Sequence, residues 1–237
     1  MVLGLRVLWR SWLSPRVWYT GSVRVLVATT NQGKLIELKE IMSDLGIEVT
    51  GLRDPVETEA IETGSTFAEN ALLKARYYYG LFGVPAIADD SGLEVEALGG
   101  APGIHSARYA GRNASDADRV RRLLDEMRDL PPSRRGARFV CAAALVWRDG
   151  EKVFVDEATG AVLESPRGAD GFGYDPVFFF EPLAKTFAEL TRWEKAAVSH
   201  RGKAFRNLAA WASQSGALDT RGSGDKIVAT RTGLLLL

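Results

Sequence analysis

"VRVLVATTNQGKLIELKEIM" (residues 23–42) is the stretch on which the fold turns. Val23 to Ala28 form a β-branched apolar run suited to a buried strand. A polar stop follows, Thr29-Thr30-Asn31-Gln32-Gly33-Lys34. Leu35, Ile36, Leu38, Ile41, Met42 and Leu45 then recur at spacings of three and four, which predicts one apolar face of a helix. Strand, polar loop and helix in this order open an α/β domain.

Downstream segments extend the pattern. Thr66-x-x-Glu69 announces a second helix through a capping box, and Ser115-x-x-Asp118 and Thr191-x-x-Glu194 announce two more. Pro85 to Ala88 predicts a short buried strand that delivers Asp89 and Asp90 at its mouth, directly before a Ser-Gly turn. "RFVCAAALVW" and "KVFVDE" read as strands joined by a hairpin at Arg148-Asp149-Gly150, which argues against an all-parallel sheet. "VFFF" is a further short strand, and a last helix is expected from Lys203 to about Ala212. The reading is α/β: an elongated mixed β-sheet flanked by helices.

Composition sets bounds. Of 237 residues, 46% are apolar, and 30 Lys and Arg balance 30 Asp and Glu. That balance argues against nucleic acid or an anionic membrane surface as the main partner. One cysteine, Cys141, excludes an internal disulfide, and with only two histidines the chain has too few ligands for a structural zinc site. The cytoplasm is the simplest compartment. Residues 1–22, basic and without acids, are an N-terminal extension equally compatible with an organellar presequence. Residues 23–212 are expected to form the folded domain, and the Gly/Ser-rich 213–237 a mobile tail.

Four clusters could carry chemistry. The strand-to-helix loop ending in Gly33-Lys34 can cradle phosphate through backbone amides and one cation, although it lacks the Walker pattern; alone it equally reads as a polar turn. Asp89 and Asp90, with Glu62 upstream, offer oxygen ligands that select Mg²⁺ or Mn²⁺ over zinc, whereas the plainer reading has one Asp capping the turn. In "GFGYDP" (171–176), Phe172 can stack on a base and Asp175 can fix the loop, while Tyr174 can serve as a core anchor. "SHRGK" (199–203) gathers a hydroxyl, an imidazole and two cations. Cys141, inside an apolar strand, reads as a core residue.

"VLVATTNQGKLIELKEIM", "ETGSTFAENALLKAR", "PAIADDSGLEVEALGGAPGIHSARYAG", "SPRGADGFGYDPVF" and "KTFAELTRWEKAAVSHRGKAF", in this order and spacing, closely resemble the inosine triphosphate pyrophosphatase (Ham1) family over roughly 23–212. The resemblance implies hydrolysis of deaminated purine nucleoside triphosphates (ITP, dITP, XTP) to the monophosphate and pyrophosphate, with Mg²⁺ as cofactor and Mn²⁺ as a substitute. It also implies a two-lobed fold with the active site in the cleft, and a homodimer. Carried over by motif, Thr29, Asn31 and Lys34 meet the triphosphate, with amides of Thr30, Gln32 and Gly33 assisting. Glu62 and Asp90 match the metal-binding acids, Asp90 also being the base, and Ser91 lies beside the substrate. Phe172 stacks on the purine, with Gly173, Tyr174 and Asp175 alongside. Lys195, His200 and Arg201 read the base edge and the nearer phosphates.

The chain departs from the family pattern at Asp156, Glu157 and Ala184, the last standing where Gly often precedes Lys-Thr. A non-catalytic purine nucleotide-binding protein would have no need of Glu62 and Asp90 together with Lys34. A pyrophosphatase for modified pyrimidines would share the phosphate chemistry and differ at the base pocket.

Overall fold

The computed structural model describes residues 23–29, 31–44, 47–52, 62–218, 227–230 and 233–236. The expectations for 1–22, for Thr30 and, within the expected tail, for 219–226, 231–232 and 237 lie outside the described residues. A seven-stranded sheet has the order β2-β1-β3-β4-β5-β6-β7. β1 (Val23–Val27), β2 (Ile47–Gly51) and β3 (Ala86–Val95) are parallel. From β3 onward the neighbours β4 (Gly136–Trp147), β5 (Gly150–Val162), β6 (Phe178–Phe180) and β7 (Lys185–Thr186) run antiparallel. The mixed sheet follows from the connections: helices join the parallel strands, and a tight turn joins β4 to β5.

The helices α1 (Gln32–Asp44) and α5 (His200–Ser215) cover one face, packing Leu38, Met42, Phe205 and Leu208 on Val25, Val27, Ile87 and Cys141. α2 (Phe67–Phe82) covers the other, setting Phe67, Ala71 and Ala75 on Leu26, Ala86, Ala88 and Ala142. Burying a leucine such as Leu38 completely contributes about 2 kcal/mol. The distal ends of β3, β4 and β5 share a separate core with α3 (Asp116–Glu126), where Leu123 and Met127 meet Phe139, Phe178 and Phe187. Thr66, Ser115 and Thr191 cap α2, α3 and α4 (Arg192–Val198) as expected, each accepting from a backbone N–H three residues on.

Three expectations change. β3 does not end at Ala88 but continues to Val95, paired throughout with β4, so Asp89 and Asp90 lie within the strand and no turn follows them. Gly92 is there for close approach: a Cβ would stand 2.4 Å from both the Gly103 carbonyl oxygen and Ser106 Oγ. α5 begins at His200 rather than Lys203, with Ser199 as its N-cap, and runs to Ser215. Leu218 is buried against the α1–α5 core, so the packed domain extends past 212. Beyond it, β8 (Ile227–Thr230) and β9 (Gly233–Leu236) pair as a separate hairpin.

β1 pairs with β3 only at Leu26–Ala86 and Val27–Ile87, with bonds from the Leu26 N–H to the Pro85 carbonyl and from the Ala28 N–H to the Ile87 carbonyl. β3 therefore projects beyond the end of β1, and among the described residues no strand pairs with that edge until Leu93 to Val95, which bond to Ser106 and the Ala101–Pro102 segment. At this point the flanking helices also switch faces, the place where open α/β sheets form a ligand crevice.

Candidate active site

A cavity of about 340 Å³ opens at that crevice. Its walls come from the β1–α1 loop, α2, β3, the 3₁₀ turn Gly103–Arg108, the start of α3 at Asp116 and Arg119, Phe139 of β4, the glycine loop at 171–175, α4 and α5. Side chains alternate across β3. Asp89 joins Ile87 and Ser91 on the α1–α5 side, and Asp90 joins Ala88 on the α2 side. Two carboxylates adjacent in sequence are thus kept apart by the sheet, which answers how like charges can be neighbours in a buried strand.

Asp89 is an internal counter-ion. Its Oδ2 lies 3.0 Å from Lys34 Nζ and accepts from Arg201 Nε at 3.3 Å, Arg201 Nη2 at 3.2 Å and Ser91 Oγ at 3.2 Å. Burial alone would raise its pKa, but Lys34, Arg201 and Lys74 outweigh it and hold the carboxyl well below the usual range. Asp90 Oδ2 accepts from Asn70 Nδ2 at 3.2 Å and its Oδ1 from the Ser91 N–H at 3.0 Å. Here burial prevails and pushes the carboxyl up, with Glu62 and Asp89 acting in the same direction. Glu62 is reached through Lys74, whose Nζ stands 2.5 Å from Glu62 Oε1 and donates to the Asp89 carbonyl at 3.0 Å. Burial would lower the Lys74 pKa, yet Asp89 and Glu62 raise it, so the ammonium stays charged.

Thr29, Asn31 and Lys34 line the same cavity, and the loop is preformed: Asn31 Oδ1 accepts the Lys34 N–H at 3.0 Å and Thr29 Oγ1 the Asn31 N–H at 3.2 Å. Gln32 is exposed and outside the cavity. Gly33 instead touches the Phe172 ring, since a Cβ there would stand 2.8 Å from Phe172 Cδ1.

Phe172 is half-buried. Lys195 Nζ lies 4.8 Å and Arg201 Cζ 5.5 Å from its ring centroid, a cation–π arrangement. Asp175 fixes the loop, accepting the Phe172 N–H at 2.8 Å and pairing with Lys195 Nζ. The structure favours the anchor reading of Tyr174, whose buried hydroxyl donates to the Ser106 carbonyl at 3.0 Å. His200 lies fully inside, stacked on Phe139 at 4.6 Å between centroids. Burial first, then Arg201 and Lys195, hold it neutral.

"SHRGK" is therefore not a surface cluster. Ser199, His200 and Arg201 are buried, because Arg201 is ion-paired to Asp89 and, at 2.5 Å, to Glu37 Oε2. Glu37 also takes Lys195 Nζ at 2.6 Å, and it escaped the sequence reading along with Lys74, Asn70, Asp116 and Arg119. The available signal was position: Glu37 lies between buried Leu38 and Lys34 on α1, and Asn70 and Lys74 share the face of Phe67, Ala71 and Ala75 on α2. A second cavity, about 330 Å³, shares Phe172 and Lys195 with the first.

The chain resembles proteins of one family throughout this region. The Ham1 family model matches residues 25–211. A dITP/XTP pyrophosphatase of Frankia alni is 51% identical over 195 residues, covering 79% of this chain and 96% of the relative. The Escherichia coli dITP/XTP pyrophosphatase is 47% identical over 189 residues, covering 78% and 95%. The structure of the Staphylococcus aureus Ham1 protein, 40% identical, superimposes with a TM-score of 0.72 over 81% of this chain and 99% of that one. With the motifs, the mixed sheet and the cavity in agreement, the chain belongs to the Ham1 family.

Proposed function

We propose that the chain hydrolyses deaminated purine nucleoside triphosphates, ITP, dITP and XTP, to the monophosphate and pyrophosphate. The observation that carries this reading is one cavity holding the Lys34 cation beside Thr29 and Asn31, carboxylates at Asp90 and Glu62, and an aromatic platform at Phe172 under two cations. A triphosphate needs charge neutralisation at one end and a stacking surface at the other.

The donor set fits Mg²⁺. Asp90 and Glu62 supply hard oxygens to the cavity, and Asp90's ionised form is disfavoured by burial, so a dication would relieve it. Among the described residues no group of three or more His, Cys, Asp and Glu is gathered for a metal. Two carboxylates completed by phosphate oxygens and water suit a cation that sheds its water reluctantly. When bound, Mg²⁺ supplies charge neutralisation at the phosphates. Asp90, oriented by Asn70 and the Ser91 N–H, takes the proton of the attacking water. Lys34 and Asn31 position the triphosphate.

Base choice rests on spare donors. Arg201 uses four of its N–H groups on Asp89, Ser91 and Glu37, and Lys195 uses two on Glu37 and Asp175. The N–H groups left over favour an acceptor at purine position 6, whereas adenine's amino group would leave them unpaired. The family resemblance supports a homodimer, and the single cysteine is compatible with the cytoplasm, an organellar address carried by residues 1–22 being the alternative. Among the described residues no helix is long and apolar enough to cross a membrane.

The test is a Mg²⁺-dependent incubation with ITP, XTP, GTP, ATP, dTTP and UTP, separating pyrophosphate from orthophosphate. Pyrophosphate from ITP and XTP, with the others poor, is the expected result, GTP being disfavoured by its 2-amino group since it shares the 6-keto acceptor. Binding of ITP without cleavage would overturn the enzyme reading, and preferred cleavage of dTTP or UTP would overturn the base assignment.

A further inference from the structure

Asp116 has a role that helix capping does not explain. It occupies the first position of α3, where a carboxylate ordinarily offsets the helix dipole. Its Oδ2 instead accepts the backbone N–H of Gly173 at 2.6 Å, from a residue 57 positions away. Its Oδ1 pairs with the Arg119 guanidinium, which also donates to the carbonyls of Ala107 at 3.0 Å and Ala114 at 2.6 Å. This side chain is therefore held from two sides on a helix that is itself fixed, by the Ser115–Asp118 capping box and by buried Val120 and Leu123.

The recipient is the turn that carries the aromatic platform. Asp175 takes the Phe172 N–H, and Asp116 takes the next N–H along the chain, that of Gly173, whose φ is +62°. Holding two consecutive amides fixes the backbone on both sides of Phe172 and so the direction of its Cα–Cβ bond. Phe172 also lines the second cavity, so a loosened turn would have space for the ring to leave its place.

We propose that Asp116 is a positioning residue that holds the Phe172 ring at the angle at which it stacks on the base. The proposal rests on the reading of Phe172 as the stacking platform. Asp116 also borders the cavity, so a role exerted through the ring is told from a direct contact with substrate by whether its effect vanishes when the ring is absent.

The experiment is a double-mutant cycle on steady-state ITP hydrolysis with Asp116→Ala, Phe172→Ala and the pair, plus Asp116→Asn. Asp116→Ala is expected to raise KM for ITP about threefold to tenfold with little change in kcat, the loss of one charge-assisted hydrogen bond. Asp116→Asn, which keeps an acceptor for Gly173 and gives up only a half-exposed ion pair, should restore most of the wild-type KM. In the Phe172→Ala background, Asp116→Ala should add nothing. Equal fold-changes in both backgrounds, or an unchanged KM in Asp116→Ala while Phe172→Ala raises it, would overturn the positioning role. An unchanged KM in Phe172→Ala would overturn the stacking reading itself. If Asp116→Ala fails to fold, Asp116→Asn with a KM like that of Phe172→Ala would overturn the proposal equally.

Discussion

Replacing Asp89 by asparagine should cost far more stability than the same change at Asp90, its neighbour of identical charge. Asp89 is 1% exposed and its Oδ2 serves Lys34, Arg201 and Ser91 at 3.0 to 3.3 Å. Asparagine keeps the shape and one acceptor but removes the charge, leaving the buried Arg201 guanidinium with Glu37 as its remaining carboxylate. Breaking one side of a buried ion pair costs about 3–5 kcal/mol, and Lys34, which is partly exposed, recovers some hydration, so about 3 kcal/mol is expected. For a domain of this size that lowers Tm by about 6–12 °C. Asp90 has neutral hydrogen-bond partners and a carboxyl that burial pushes toward its protonated form, so Asp90→Asn should change stability by less than about 1 kcal/mol while abolishing turnover. Urea titration and thermal unfolding of both variants, beside an ITP assay, make the comparison. Equal destabilisation of the two, or a Tm loss below about 2 °C for Asp89→Asn, would refute the assignment of Asp89 as the counter-ion.

Glu37 gives a pH dependence. Burial would raise its pKa from 4.5, but Arg201 and Lys195 lower it, so its contribution is present above that value and lost as pH falls below it. The stability difference between wild type and Glu37→Gln should be constant near neutrality and shrink on acidification through and below 4.5; a difference independent of pH would contradict the ion-pair account. Ala184 has φ +50°, the one left-handed non-glycine backbone among the described residues. Ala184→Gly should therefore gain about 0.5–1 kcal/mol in urea titration, and a loss would show that the methyl group is needed there.

The helix starts were legible because capping is local: Thr66, Ser115 and Thr191 each find their partner three residues away. Strand β3 was misread because Asp-Ser-Gly is turn chemistry in isolation, and the pressure on Gly92 comes from Gly103 and Ser106, brought near only by the fold. The start of α5 was hidden for a similar reason. His200 and Arg201 break the apolar pattern, and their burial is made affordable by Phe139, Asp89 and Glu37, the two carboxylates standing 112 and 164 positions from Arg201. Phe172, Lys34 and Asp90 were named from residue types in their loops and from the resemblance, and the fold brings all three to one cavity. Glu37, Lys74 and Asp116 act on those residues rather than forming motifs, and only side-chain geometry exposes them.

The alternation along β3 has a consequence for how this protein can change. Because the strand is a partition, one residue in two belongs to the charge network of α1 and α5 and the next to the carboxylate chemistry facing α2. A substitution on one side leaves the direction of the other side's residues unchanged, although its charge is still felt across the strand, since Lys34 and Lys74 act on both carboxylates. Length has no such freedom. Deleting Ala88, or inserting one residue next to it ahead of Asp89, would exchange the faces of the two carboxylates, turning Asp89 toward α2 and Asp90 toward the cations of α1 and α5. This buried segment should thus tolerate no change in length, whereas the exposed Arg148–Asp149 turn between β4 and β5 should tolerate both replacement and insertion.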